Sequence, residues 1–470
     1  LRFAGVTALL CGYIFSLVIN QANFQTRLGD VLCHTDKNLP CDMSDKKLNA
    51  AVSQLYSYLF ITLNLGVFLC VGSLGEVSDA KGRKWVVVML LFTSACDQIA
   101  QGFCPNETCL YVTRALAGFT GSYFTFFSCM FAMTVDIVPI HNRTMAFGIL
   151  EAFLFTGLGA GPVVGGAIAE WASISTSYVF VSSFQGFMAF FALFLLDESL
   201  PSHYRRDINW KRLNPITALK TIYGESGARA PAAVFFLLLL GVSARMGILY
   251  LFTNFNFHYN QLSFGYLMAF SGVVSGVAAA LLHHAIRLVG ELRSLVLSCG
   301  LVTVGYGLTA ASCHVMLNSR VVLYVGTGVA ALGSGAIPAT RALVSKWCSN
   351  KEQGVALAAV GSIEATTSVV GSAIFGQLYS RTVHVVSGTS FFLVAVHPTP
   401  PSLCIHPHIP HTSLHTARRL FAVHVFDCDG CCCGVCEAPS VDGQALDTRI
   451  VHQRRPRQRG GGGGGGGSHG

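Results

Sequence analysis

The stretch Gly75-Glu-Val-Ser-Asp79-Ala-Lys-Gly82-Arg83-Lys84 decides the reading of this chain. It sets an acid, a glycine and a basic pair in a short turn between two apolar runs, Leu55 to Leu74 and Trp85 to Phe103. Each run has about the 20 residues that a helix needs to cross a bilayer's hydrocarbon core. A charged turn clamped between two such spans is rare by chance, and it makes the chain a multi-pass membrane protein in outline.

The bulk composition agrees. Of 470 residues, 52% are apolar and only 11% charged, where a soluble domain of this size carries about a quarter charged residues. The net charge of +8 is spread over loops and a tail, which does not describe a nucleic-acid surface. The chain opens at Leu1, already close to an apolar stretch. A missing initiator Met places the natural N-terminus upstream, so no signal peptide is read from it.

Working outward from the turn, further spans follow with short breaks. They run near Phe3 to Asn20, Leu110 to Met133, Phe147 to Trp171 and Tyr178 to Leu196, then Ala232 to Phe252, Phe264 to Leu282, Ser294 to Ala311, Val321 to Pro338 and Gly354 to Tyr379. With the two spans around the turn this makes eleven, and a twelfth begins near Val385 and stops at Val396. Backbone amides cannot stay unpaired in lipid, so every span is expected to be helical. The expected fold is all-α: a six-helix bundle over residues 1–196, a cytoplasmic central loop over 197–231, a second bundle over 232–396 with an apparently truncated last helix, and a low-complexity tail over 397–470.

Basic residues orient the spans. Breaks after even-numbered spans hold Lys81, Arg83, Lys84, Arg143, Arg287, Arg293, Lys346 and Lys351, and the loop after span six adds Arg205, Arg206, Lys211, Arg212, Lys220 and Arg229. Those breaks are therefore expected in the cytoplasm. The opposite side carries Cys33 and Cys41 in the first loop and Cys104 and Cys109 after span three, where disulfides can form; four free thiols fit the sequence equally well. Asn106-Glu-Thr is a glycosylation sequon on that side, and Asn142-Arg-Thr faces inward and should stay bare.

The tail changes character at His397. His411, His415 and His424 with Cys428, Cys431, Cys432, Cys433 and Cys436 suggest metal binding, but a second cysteine pair at zinc-finger spacing is lacking, and no metal or cofactor is expected. A disordered regulatory tail is the second reading. A retained intron or shifted frame is the third and preferred one, because the break falls inside an apolar helix.

The chain shows no P-loop, metalloprotease, nucleophile-elbow or kinase motif, so it is not read as an enzyme or an ATP-driven pump. Coupling to an ion gradient is the default. Charges inside spans cost about 2.5 to 3.5 kcal/mol on insertion scales, so those present are seldom idle. Glu151 lies one turn into span five; burial favours the protonated form of a carboxylate, which suits a proton carrier or a structural hydrogen bond. Arg114 in span four poises a nearby carboxylate or ties helices together. Arg245 in span seven and Arg341 at the end of span ten offer forked donors to an anion, although Arg341 also suits snorkelling to the surface. Glu364, midway along span eleven, is a proton or substrate candidate, or a partner of Arg245 or Arg341. Asp97, Gln98 and Gln101 lie toward the outer end of span three and suit an outer vestibule. His283 and His284 titrate near neutrality but read as interfacial. Gly157, Gly161 and Gly165 form a stripe with Pro162 and Gly166 that lets a second helix approach closely, and the same motif suits a role in limiting leak.

As a set, these motifs resemble the major facilitator superfamily of transporters over roughly Phe3 to Val396. The resemblance implies two bundles enclosing a midplane site. It makes Gly75, Asp79, Gly82, Arg83 and Lys84 a gating loop whose acid–base contacts break and reform as access switches. A second copy belongs at His283 to Arg293, and there the acid is missing. One departure is Ala80, where a basic residue often follows the acid; Lys81 stands one place on. TRALVSKWCSNKEQGVALAAVGSI, IFGQLYSRTV and RTMAFGILEA further resemble the proton-coupled folate transporter family. That implies proton-linked uptake of organic anions such as folates, with Glu151 on the proton-coupling acid and Arg341 on the span-ten arginine. Arg245 falls near a histidine there and Glu364 where a neutral residue is expected, two departures. The Gly-Pro motif of span five resembles drug:proton antiporters instead.

The leading expectation is a proton-coupled symporter of a small organic anion, folate-like by resemblance, whose partners are substrate, protons and the lipid bilayer, with no nucleic acid. Arg245 and Arg341 would bind substrate, and Glu151, Glu364 and Arg114 would handle protons. A proton antiporter exporting amphipathic compounds is the alternative in the same fold, and a non-transporting receptor or scaffold is the alternative of another class.

Overall fold

The computed structural model describes residues 2–35, 39, 41–139, 143–200, 205, 207–208, 226–314, 319–340 and 353–396. Arg341, Asn142 and the whole tail from His397 lie outside these described residues, as does most of the central loop.

The described residues are overwhelmingly helical, as lipid requires of a spanning backbone. Ten stretches among them are long and apolar enough to cross a membrane. The first is broken: α1 (Arg2–Ile19) and α2 (Gln21–Thr35) meet at Asn20, so span one runs well past its expected end at Asn20. Next come α3 (Lys46–Lys81) and α4 (Arg83–Phe103). The fourth stretch is broken too, into α5 (Glu107–Phe119) and α6 (Ser122–Ile137), with Gly121 at φ 90° between them. Helices α7 (Arg143–Trp171) and α8 (Ile174–Leu195) complete the N-terminal half.

The C-terminal half holds α9 (Ser226–Phe257), α10 (Gln261–Val289), α11 (Glu291–Ala311) and α12 (Arg320–Leu332), which a short tight turn extends to Thr340. Helix α13 (Gln353–Gly371) passes through a π-helical turn at Ser372–Gly376 into α14 (Gln377–Thr382), and α15 (Thr389–Val396) follows. His283 and His284 sit within α10 rather than at its end.

The opening motif is folded differently from the expected turn. Helix α3 continues through Gly75 and Asp79 to Lys81, and the chain reverses at Gly82 alone. Gly82 adopts φ 126°, ψ 153°, a conformation glycine takes without steric cost. Gly290 does the same between α10 and α11, at φ 88°, ψ 157°. The two halves thus repeat a one-residue reversal, which is the structural trace of the second motif copy.

The halves meet along two seams. Along α7 and α10 the approach is backbone to backbone: a Cβ on Gly272 would lie 2.5 Å from the Gly159 Cα, and one on Gly166 would lie 2.5 Å from the Leu262 Cα. Along α3 and α13 side chains intervene, with Val71 and Ala365 in one buried cluster. Polar links between the halves gather at one end. There Gln25 Nε2 donates to the Gly247 carbonyl at 3.0 Å, Thr26 pairs with the Tyr250 hydroxyl at 2.9 Å, and Gln261 Nε2 donates to Thr26 at 3.0 Å. That end also carries two disulfides, Cys33–Cys41 and Cys104–Cys109, so these four thiols are paired.

Candidate functional site

Between the halves lies a cavity of about 360 Å³, within the size range of small-molecule sites. Arg114, Glu151, Arg245 and Glu364 all line it, and so does Asp97. Five ionisable groups from five helices therefore share one chamber. Glu151 is 5% and Glu364 8% exposed.

Asp97 is where the structure departs most from the expected outer vestibule. It sits two turns from the end of α4, and its side chain is only 12% exposed. Arg114 Nη1 on α5 lies 3.4 Å from its Oδ2, and Gln101 Nε2 donates to the same oxygen at 2.7 Å. The other oxygen, Asp97 Oδ1, and Arg114 Nε are buried without a partner among the described residues. The Arg114 guanidinium also lies 4.6 Å over the Phe24 ring, a favourable cation–π placement. Beside the pair, Asn20 Nδ2 donates to Gln98 at 3.0 Å, and Ser177 donates to Asn20 at 2.6 Å. A buried amide network thus ties the α1–α2 break to α4 and α8.

Arg245 lines the same cavity from α9. Its Nη2 donates to the Ser271 hydroxyl of α10 at 2.6 Å and lies 3.6 Å from the Met268 sulfur. Glu364 does not pair with it; Arg341, the other cation expected near the substrate, is outside the described residues.

A second charged cluster surrounds Gly82. Arg83, 11% exposed at its side chain, donates from Nε to Asp136 Oδ2 at 2.6 Å and from Nη1 to Asp79 Oδ1 at 2.9 Å. It thereby bridges the ends of α3 and α6. Glu198 accepts from the Arg83 and Lys84 backbone N–H groups at 3.0 and 3.2 Å. A carboxylate suits that position, because the first N–H groups of a helix lack partners and carry partial positive charge. Lys81 pairs with Asp207 at 3.3 Å, on the surface. Gly75 faces open space.

The glycines of α7 divide by face. Gly157, Gly161 and Gly165 pack on α1, against Ile14, Phe15, Val18 and Ile19. Pro162, Val163 and Gly166 pack on α10, at Gly265 and Leu262. Asn106 is exposed and caps α5, its side chain accepting from the Cys109 N–H at 3.0 Å.

Sequence reasoning passed over Asp136, Glu198 and the aromatic wall of the cavity. The two acids lie far from the motif in the chain, and nothing local marks them as its partners. The wall is made of Phe24, Tyr56 and Phe60; Tyr56 and Phe60, four residues apart, had a visible signal in their shared helical face.

Among known proteins, the chain is 24% identical over 358 residues to the class C tetracycline resistance protein of Escherichia coli, covering 76% of this chain and 88% of that one. It is 23% identical over 318 residues to the Hippocampus abundant transcript 1 protein of Homo sapiens, covering 66% of this chain and 63% of that one. In structure it resembles the human organic anion transporter MFSD10 (TETRAN), with a TM-score of 0.66 at 17% identity over 86% of this chain and 98% of that one; at that identity the likeness speaks for the fold. The model of the Major Facilitator Superfamily matches residues 3–310, and with ten spanning helices around a central cavity the chain belongs to that superfamily of integral, multi-pass membrane transporters.

Proposed function

We propose that the protein is a proton-coupled symporter of a small organic anion, working by alternating access to the cavity. The observation that carries this reading is the charge layout of the chamber: a guanidinium without an acid partner on α9, together with carboxylates held on α4, α7 and α13. Arg245 receives the substrate's anionic group. Glu151, Glu364 and the Asp97–Arg114 pair are the proton-handling groups; Asp97 joins the set because it lines the cavity and its second oxygen is buried without a partner among the described residues. Asp79, Gly82, Arg83 and Lys84 hold one access state through Asp136 and Glu198. The folate-family likeness supports an organic anion through Glu151 and Arg341, residues 341–352 of its quoted segment lying outside the described residues.

Glu151→Gln tests the coupling. The variant should bind substrate yet lose the pH dependence of uptake in proteoliposomes; uptake with an unchanged pH profile sinks the assignment of Glu151.

Antiport of amphipathic compounds is the second reading. It is favoured by the tetracycline resistance proteins among the relatives and by the Gly-Pro stripe of α7. The sign of the lumenal pH change when substrate enters separates the two readings.

A further inference from the structure

Arg245 differs from Arg114, the other described arginine that lines the cavity. Arg83 holds Asp79 and Asp136, and Arg114 holds Asp97. Arg245 has no carboxylate at ion-pair distance among the described residues. Its Nη2 donates to Ser271 at 2.6 Å, and its Nε has no acceptor. Ser271 accepts that bond, so its own hydrogen remains to donate. A guanidinium edge beside a hydroxyl is a donor set matched to one carboxylate.

Part of the cavity wall is aromatic. Tyr56 and Phe60 stack on one face of α3, with ring centroids 5.7 Å apart and 13° between planes, and Phe24 of α2 lies 6.0 Å from Tyr56. The wall and the guanidinium line the same cavity, Phe24, Tyr56 and Phe60 from the N-terminal half and Arg245 and Ser271 from the C-terminal half. Ring surface and carboxylate donors therefore lie within reach of one small, flat molecule.

We propose that the cavity's ligand is a flat aromatic monocarboxylate, with its carboxylate on Arg245 and Ser271 and its ring on Phe24, Tyr56 and Phe60. The assignment rests on the organic-anion reading and narrows it to a ligand with one carboxylate, the number that the Arg245–Ser271 donor set matches.

Equilibrium binding to the purified full chain tests it without reference to protons. The probes are naphthoate, naphthamide, naphthalene dicarboxylate and cyclohexanecarboxylate, measured by calorimetry. Naphthoate should bind at least about tenfold tighter than the other three, the step of one charge-assisted contact or one ring. Arg245→Gln should erase the preference for naphthoate over naphthamide. Tyr56→Leu should erase the preference for naphthoate over cyclohexanecarboxylate and leave the first preference intact. Should Arg245→Gln fail to fold, Ser271→Ala should weaken naphthoate severalfold and leave naphthamide unchanged. Tighter binding of the dicarboxylate, equal binding of the amide, or unaltered binding by the variants overturns the proposal. Absence of naphthoate binding in a protein that still couples protons to another substrate also overturns it, and leaves the symport reading standing.

Discussion

Asp97 and Arg114 show what a single pair of residues adds to a list of spans. Position along α4 suggested an outer vestibule, because sequence gives depth only to within a turn or so and says nothing of which neighbour a side chain meets. Arg114 reaches α4 from α5, the outer segment of the broken fourth span. Arg114, Glu151, Arg245 and Glu364 were legible, since a charge within an apolar run is visible by itself; their partners were not. Removing one member of a buried pair strands the other, at a cost of about 3 to 5 kcal/mol. Asp97→Asn should therefore lower the melting temperature in detergent, and Asp97→Asn with Arg114→Gln should recover much of that loss. The double variant should still bind substrate and fail to accumulate it against a gradient. Full accumulation by the double variant would remove Asp97 from the proton path.

At the scale of helices, the glycine pattern of α7 was legible but its division of labour was not. The stripe at every fourth residue faces α1 inside the N-terminal half, while the seam between halves uses the intervening Gly159 and the Pro162–Gly166 face. Periodicity reports a shared face and cannot name the helix opposite it. Gly272→Ala should push α7 and α10 apart, costing about 1 to 3 kcal/mol by overpacking, and should slow transport. Gly276→Ala, one turn on and facing open space, should leave both stability and transport unchanged. Equal behaviour of the two variants, followed by thermal unfolding and uptake, would refute this seam. The opening motif teaches the same lesson: its composition marked a helix reversal, yet the turn is one glycine long because Glu198 and Asp136, remote in sequence, close it.

For the molecule as a whole, hydrophobic length and charge bias were enough to read the fold, since lipid leaves helices as the solution for such a chain. The access state was not legible, because it depends on hydrogen bonds between halves more than 200 residues apart. Those bonds sit at the disulfide end, where Gln25 and Thr26 of α2 meet α9 and Gln261 of α10. Losing all three at about 1 kcal/mol each should shift the access equilibrium roughly 150-fold. Gln25→Leu with Thr26→Val should thus expose a cysteine placed at Ser243 in the cavity to an impermeant thiol reagent added at the disulfide end, with native Cys96 replaced. Unchanged labelling would mean that this seal does not hold the chamber closed.

The central claim is that substrate and proton move together through the chamber. Lumenal pH in proteoliposomes, read while an organic anion is added outside with one insertion orientation blocked, tests it most directly. Lumenal acidification on substrate entry, abolished by Glu151→Gln, is the result the account predicts. Lumenal alkalinisation on substrate entry, or substrate entry with no pH change, would contradict it.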